Sequence, residues 1–335
     1  MNKKGMFIMK IRILCCIVVL TFCVLPVGAF AEIKLMIAEI YPENSPTTQG
    51  LLKFAELVKE RSNGEIVIEV KFGGVLGKDE KAVGEQVQLG TLDMGRISIA
   101  PLINFIPAIE TFYLPYLWKS QESLWNVLKG GTGQKLLKEI ELVKFYGLCY
   151  YEAGARSFYN AKREIKMVDD LKGLNIRVEK SDLMRDFVNT LGATAVPMAF
   201  NEVYEAIRNE VIDGAEDDWP SYESSGHYEV AKYYTLDRHT RVPEILVASK
   251  MVFDKKLKPD QIALIKQAAQ DTQDFVILKW NEREEASQKI MLGKGNIITE
   301  LTQEAQEGFI KAVRPLYTKY GAKYKALLEE IRVQQ

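Results

Sequence analysis

Beyond residue 31 the hydrophobic pattern switches between the two periods that mark strands and helices. Ile33 to Ile40 reads as a strand, and Tyr41-Pro42-Glu43-Asn44-Ser45-Pro46 as the turn that follows. From about Thr47 to Ser62 apolar residues return every three or four positions (Leu51, Leu52, Ala55, Leu57, Val58). That spacing gives a helix one buried stripe. Asn63-Gly64 ends it. Glu65 to Phe72 alternates strictly, with Ile66, Ile68, Val70 and Phe72 on one side, the mark of a strand with one solvated face. Lys78 to Leu89 is helical and Leu92 to Ile97 is again a strand. A strand–helix–strand rhythm predicts a parallel or mixed sheet covered by helices.

The rhythm restarts in mid-chain. Lys144 to Tyr151 and Leu174 to Val178 read as strands, Lys180 to Leu191 as a helix, Thr194 to Pro197 as a short strand and Asn201 to Asn209 as a helix. Gln88-Leu89-Gly90-Thr91-Leu92-Asp93 echoes Arg208-Asn209-Glu210-Val211-Ile212-Asp213, each a helix end, a turn and an apolar–Asp pair. Two similar α/β lobes would produce such an echo, and so would chance. After Lys258-Pro259-Asp260 no Gly or Pro appears until Gly293. An uninterrupted helix of about 30 residues would run about 45 Å, more than one lobe needs. The last helical stretch, Gln303 to Ile331, is interrupted at Pro315 and Gly321.

The first 31 residues form a different pattern. Lys3, Lys4, Lys10 and Arg12 precede an apolar run from Ile13 to Val24, broken only by Thr21, and Ala29-Phe30-Ala31 is a small-x-small site. This is the pattern of a signal peptide cleaved after Ala31. Of 335 residues, 304 would remain, with 40 Lys/Arg against 45 Asp/Glu and a net charge of −5. Such a surface carries no basic footprint for nucleic acid. Cys15, Cys16 and Cys23 leave with the leader, so Cys149 alone remains, without an internal disulfide or a cysteine metal cluster.

Signatures of catalysis are scarce. His227 and His239 are the only histidines, and no G-x-S-x-G, H-E-x-x-H, P-loop or G-x-G-x-x-G occurs. Gly73-Gly74-x-x-Gly77 lacks the Lys-Ser/Thr of a phosphate loop and reads as a tight βα turn. The arginines beside strand ends say more. Arg156 follows the run 144–151, and Arg177 sits inside Leu174-Asn175-Ile176-Arg177-Val178. A guanidinium in a strand is awkward unless it meets an anion, which it grips through two parallel hydrogen bonds. Structural pairing with Asp or Glu, or an edge position, would also explain it. Asp213 to Tyr222 gathers Glu216, Asp217, Asp218 and Trp219, a mixture of acceptors and rings suited to a polyol, or simply a solvated acidic loop.

Five ordered motifs carry a resemblance over essentially the whole mature chain. They are Leu76-Gly77 opening a helix that ends in Gly90-x-x-Asp93-Met94; Gly154 to Asn160 (GARSFYN); Asp170 to Val178 (DLKGLNIRV); Pro197 to Ala206 (PMAFNEVYEA); and Val211 to Glu216 (VIDGAE). Together they resemble the solute-binding proteins of TRAP (tripartite ATP-independent periplasmic) transporters. The resemblance implies an α/β, type II-like two-lobe periplasmic binding protein with mixed sheets. A ligand cleft lies between the lobes, and a long helix, about 260–291, spans both. It implies lobe I from 32–153 plus 243–282 and lobe II from 154–242 plus 283–335, with crossings near Gly154, Val242 and Arg283.

By the same resemblance Arg177 is the carboxylate-binding arginine, Arg156 its helper and Phe200 a ring lining the cleft. His239 matches a histidine common near the second crossover. Asp79 and Glu80 fall where ligand-contacting residues vary. Asp217 stands where many members have Asn, so it is expected to accept from a ligand hydroxyl or to pair with Arg156 or Arg177. Glu216 and Trp219 complete the expected site. Trp219 to Tyr228 and Arg241-Val242-Pro243-Glu244 look like members that bind sugar acids, which points to a hexuronate such as D-glucuronate or D-galacturonate. C4-dicarboxylates, small hydroxy or keto acids and sialic acid stay open. The implied protein is a periplasmic monomer with no catalytic residue, metal or cofactor. It works with a small and a large integral membrane subunit. The rival expectation is a secreted enzyme acting on acidic sugars, with Glu216 and Asp217 or Asp79 doing acid–base work; a ligand-sensing module that needs a partner kinase is a third.

Overall fold

The computed structural model describes residues 32–335, so the expected leader and its cleavage site lie outside the described residues. Among the described residues, no helix is long and apolar enough to cross a membrane. The chain starts β1 (Ile33–Ala38), α1 (Pro46–Arg61), β2 (Ile66–Lys71), α2 (Glu80–Leu89) and β3 (Met94–Ser98). Each boundary has a local cause. Ser45 caps α1 by accepting from the Thr48 amide at 3.2 Å, and Pro46 sits in its first turn, where no amide is missed. Leu51, Phe54 and Val58 on its inner face are fully buried against the strands, each contributing about 1.5–3 kcal/mol.

The second lobe repeats this plan. β4 (Phe145–Asn160) leads into β5 (Asn175–Val178), α3 (Asp182–Thr190), β6 (Thr194–Pro197), α4 (Val203–Arg208) and β7 (Gly214–Asp217). The strand order is β2-β1-β3-β8-β4-β7-β5-β6, which reads the same in plan from either end. In each half the first strand lies parallel between the other two. The sequence echo has a structural counterpart. The amides of Thr91 and Leu92 both donate to the Gln86 carbonyl, and those of Val211 and Ile212 both donate to the Ala206 carbonyl. Gly90 and Glu210 both take the left-handed conformation, at φ 73° and 57°. Asp93 then accepts from the Met36 amide and Asp213 from the Asn175 amide, each at 2.8 Å, tying the turn to the neighbouring strand.

Two strands join the halves. β4 is 16 residues long and β8 (Tyr233–Ser249) is 17. They pair antiparallel, residues 145–152 with 243–249 and 155–160 with 233–241. The register shifts between Glu152 and Ala155, where Gly154 has φ 74°, and Arg238 on β8 has φ 45°. The sequence expectation ended β4 at Tyr151, because Glu152 to Arg156 breaks the apolar run. The strand continues because a bulge at Gly154 absorbs the extra residue. β8 was not expected at all: Asp237-Arg238-His239-Thr240-Arg241 is too charged to read as a strand until its partners are known.

The expected single helix over 260–291 is two. The structure has α6 after β8 and the short helices α5 (Trp219–Ser224) and His227–Val230; α6 is Pro259–Asp271 and α7 is Gln273–Gly293. Thr272 separates them. Its hydroxyl donates back to the Ala269 carbonyl at 2.6 Å and meets the Tyr151 hydroxyl at 2.9 Å. A β-hydroxyl that bonds the preceding turn bends a helix without Gly or Pro. The tail forms helices at Gln303–Ala312, Arg314–Gly321 and Lys325–Gln334, close to the expected interruptions.

Candidate ligand site

Arg177 is the third residue of β5. Its neighbours Ile176 and Val178 are fully buried, and Arg177 is 4% exposed. Its Nε donates to the Met198 carbonyl at 3.0 Å, and its guanidinium carbon lies 5.9 Å from the centre of the Phe200 ring. Among the described residues no carboxylate pairs with it. Burial, with no such partner, pulls the guanidinium below its ordinary pKa. Phe200 meets Tyr41 edge-on at 6.2 Å and His227 at 5.4 Å. His227 accepts or donates at 2.7 Å to the Tyr159 hydroxyl, and burial pushes it down to about 3, so it stays neutral beside Arg177.

Arg156, on β4, is equally buried but fully engaged. Its Nε and Nη2 donate to the two Glu216 carboxylate oxygens at 2.5 and 2.9 Å, Nη2 also to the Glu216 carbonyl at 2.7 Å, and Nη1 to Asp217 at 2.7 Å. Burial opposes its charge, but Asp217 and Glu216 outweigh that and raise its pKa. Behind it, His239 Nε2 lies 3.2 Å from Glu216, and its Nδ1 2.9 Å from Asp237. The ring is packed against Phe158 and Phe187 at 4.8 and 4.9 Å. Burial works against protonation, but Asp237 and Glu216 overcome it and bring His239 up to about 9. Glu216 falls to about 2: Arg156 and His239 outweigh its burial.

The expected site residues therefore divide. Arg177 and Phe200 lie against each other. Asp217 takes one of the two roles expected of it and pairs with Arg156. Glu216 and His239, both 0% exposed with every polar atom of their side chains engaged, hold Arg156 and have no surface for a ligand in this structure. Asp79 caps α2 by accepting from the Ala82 amide at 2.8 Å. Glu80 turns to Arg96 and accepts from the Ser98 amide at 2.9 Å. Trp219 stacks on Tyr234 at 3.9 Å and lines a different depression, of about 260 Å³, with Arg238, Arg241 and Glu284. The acid–base pairs of the enzyme expectation are thus taken up by Arg156 and by a helix cap.

The sequence reading missed a third arginine. Arg96, in the middle of β3, is fully buried and bonds three carboxylates, Glu39, Glu80 and Glu244, with Glu244 at 2.8 Å. Its guanidinium carbon lies 4.6 Å from the centre of the Tyr41 ring. A charge inside the apolar run 92–97 is the signal that drew attention to Arg177, and it was available here too. A chain of contacts thus runs from Arg96 through Tyr41 and Phe200 to Arg177. Glu179, two residues beyond Arg177, lies among the nearby acids: burial first, then the fields of Glu216, Glu80, Asp217 and Glu244, raise its carboxyl well above the ordinary value.

Comparison with known proteins fits this layout. Residues 37–323 match the model of bacterial extracellular solute-binding protein, family 7. A solute-binding protein of Chromohalobacter salexigens is 33% identical over 288 residues, covering 86% of this chain and 84% of its own. A TRAP periplasmic solute-binding protein from Bradyrhizobium sp., solved with galacturonate, superposes with a TM-score of 0.85 at 37% identity, over 89% of this chain and 99% of that one. One from Chromohalobacter salexigens, solved with D-glucuronate, has a TM-score of 0.86 at 32% identity, over 90% and 100%. With two similar α/β halves on one sheet, the chain belongs to family 7 of the extracellular solute-binding proteins, the binding proteins of TRAP transporters.

Proposed function

We propose that this protein captures a hexuronate, D-glucuronate or D-galacturonate, in the cleft and delivers it to the membrane subunits of its transporter. Arg177 carries the reading. It is a buried cation with no anion of its own, and a ligand carboxylate supplies the missing charge through a paired hydrogen bond. Phe200 beneath it covers the apolar face of the sugar. Arg156, fixed by Glu216 and Asp217 with His239 behind them, keeps that end of the cleft rigid. The uronates bound by the two solved relatives support the same ligand class.

Lobe I comprises 32–153 plus 243–282 and lobe II 154–242 plus 283–335. They close about the crossings near Gly154, Val242 and Arg283, in the hinge manner common to binding proteins. The protein acts after export, with its first 31 residues removed, as a monomer and without catalysis. In the test, glucuronate and galacturonate raise the melting temperature, since a ligand selective for the folded state must do so. Neither does so for Arg177→Ala. A variant that still binds at parental affinity removes Arg177 from the site. Release of product from oligouronates at substoichiometric protein would replace transport by catalysis.

A further inference from the structure

Three buried arginines line the cleft, and only Arg177 lacks a carboxylate among the described residues. Arg96 is taken up by Glu39, Glu80 and Glu244, and Arg156 by Glu216 and Asp217. The cleft therefore has one place for a ligand carboxylate. What else it offers is carboxyl oxygen. Glu244, 1% exposed and paired in register with Ser98, gives one oxygen to Arg96, while its Oε2 is buried with no partner. Glu179 likewise has a buried, unpartnered Oε1. A buried acceptor left unpaired is costly, so such atoms mark places where a partner arrives.

Resting on the uronate reading, we infer that Glu179 and Glu244 read the hydroxyls at the end of the ligand remote from its acid, so that the site takes acids with one carboxylate and several hydroxyls and rejects those with two. Glu179 lies just past the end of β5, two residues beyond Arg177, and within the fields of Glu216, Glu80, Asp217 and Glu244. Glu244 lies on β8, in the wall that carries Arg96. A hydroxyl both donates and accepts, and it satisfies either oxygen. A second carboxylate would find no free guanidinium there, only Glu80, Glu179, Glu244 and Asp217. Burial lifts Glu244 to about 8, against the pull of Arg96, and lifts Glu179 too. A protonated carboxyl can donate to a hydroxyl, but it supplies no positive charge for a second anion.

The test compares D-galacturonate, D-galactonate and galactarate by calorimetry and thermal shift. The last two share a linear carbon chain and differ in whether its far end is an alcohol or an acid. Galactarate should bind at least about 100-fold more weakly than the tighter mono-acid, because its second carboxylate would be buried with no cation to pair it. Glu179→Gln and Glu244→Gln keep the shape, put a permanent amide donor where a carboxyl loses its proton on ionising, and should each narrow that ratio by about tenfold or more. If Glu244→Gln does not fold, Glu179→Gln carries the test. Galactarate within tenfold of the mono-acids overturns the inference, as does a ratio unmoved by the variants. If none of the three binds, the uronate reading itself fails, and this assignment falls with it.

Discussion

Arg96 and Arg177 stand at the two ends of a chain of contacts through Tyr41 and Phe200 and carry the same charge inside similar short strands. Their surroundings are opposite. Arg96 meets three carboxylates, and although burial opposes its charge, Glu244, Glu39 and Glu80 raise its pKa well above the ordinary value. Arg177 meets a carbonyl and a ring, and burial pulls its pKa down. A buried cation that already has its anions holds the fold. One that no carboxylate pairs with among the described residues is the one proposed to hold a ligand. Arg156 is the intermediate case: it lies on β4, in the same half of the sheet as Arg177, but is paired as Arg96 is.

The comparison breaks most readily at Arg96. Arg96→Met leaves two buried carboxylates, Glu39 and Glu244, and the partly buried Glu80 without a cation, and should destabilise the ligand-free protein by about 3–5 kcal/mol. Urea unfolding followed by circular dichroism measures it. Arg177→Ala should do the reverse. It removes an uncompensated buried charge, so the ligand-free protein keeps its stability or gains some. Uronate affinity should fall about a thousandfold, about 4 kcal/mol. Arg177→Lys keeps the charge but loses the paired geometry, and should recover only part of that. If Arg177→Ala destabilises the ligand-free protein as much as Arg96→Met, the two arginines do the same work and the distinction fails.

Acidity sharpens the contrast further. His239 is raised from 6.5 to about 9, so its stabilisation is complete below pH 6.5 and is lost as pH rises through 9. Glu244 is raised from 4.5 to about 8 by burial, so ionising it costs stability over pH 4.5 to 8. Glu216, lowered to about 2 by Arg156 and His239, stabilises above 4.5 and stops doing so as pH falls through 2. The ligand-free protein should therefore melt highest near pH 5 and lose on the order of 8 kcal/mol by pH 9, the His239 and Glu244 losses adding. His239→Gln should flatten the decline between pH 6.5 and 9. A melting temperature that rises over that interval contradicts a protonated His239.

Much of this was legible in the sequence. The alternating and helical periods located β1 to β3 and β5 to β6 within two or three residues, because the placing of apolar side chains follows what each strand buries, one face of β2 and both faces of β3. The turn shared by 88–93 and 208–213 was visible as an echo, since its geometry is built from backbone bonds with few side-chain demands. What hid from view was whatever depends on distant partners. β8 carries Asp237, Arg238, His239 and Arg241, and its charges make sense only beside Glu216, Glu300 and Glu152. The bend at Thr272 depends on a hydroxyl bonding back, not on a breaker residue. Arg177 was found and Arg96 passed over, although both are charges in apolar strands. The motif around Arg177 drew attention there and not to Arg96.

The smallest effect concerns Asp79, which stands beside Glu80 at the start of α2 and was expected to meet ligand. Its carboxylate accepts from the Ala82 amide, as an N-cap does, while Glu80 is drawn to Arg96. If that is its role, Asp79→Ala should cost about 1 kcal/mol of stability, and Asp79→Asn almost nothing, since an amide oxygen caps as well. Uronate affinity should be the same in both. A ligand contact predicts another pattern: affinity falls in Asp79→Ala, changes again in Asp79→Asn as donor replaces acceptor, and stability hardly moves. Melting curves and titrations on the same two variants separate these outcomes, because a cap acts on the free protein and a ligand contact only on the complex.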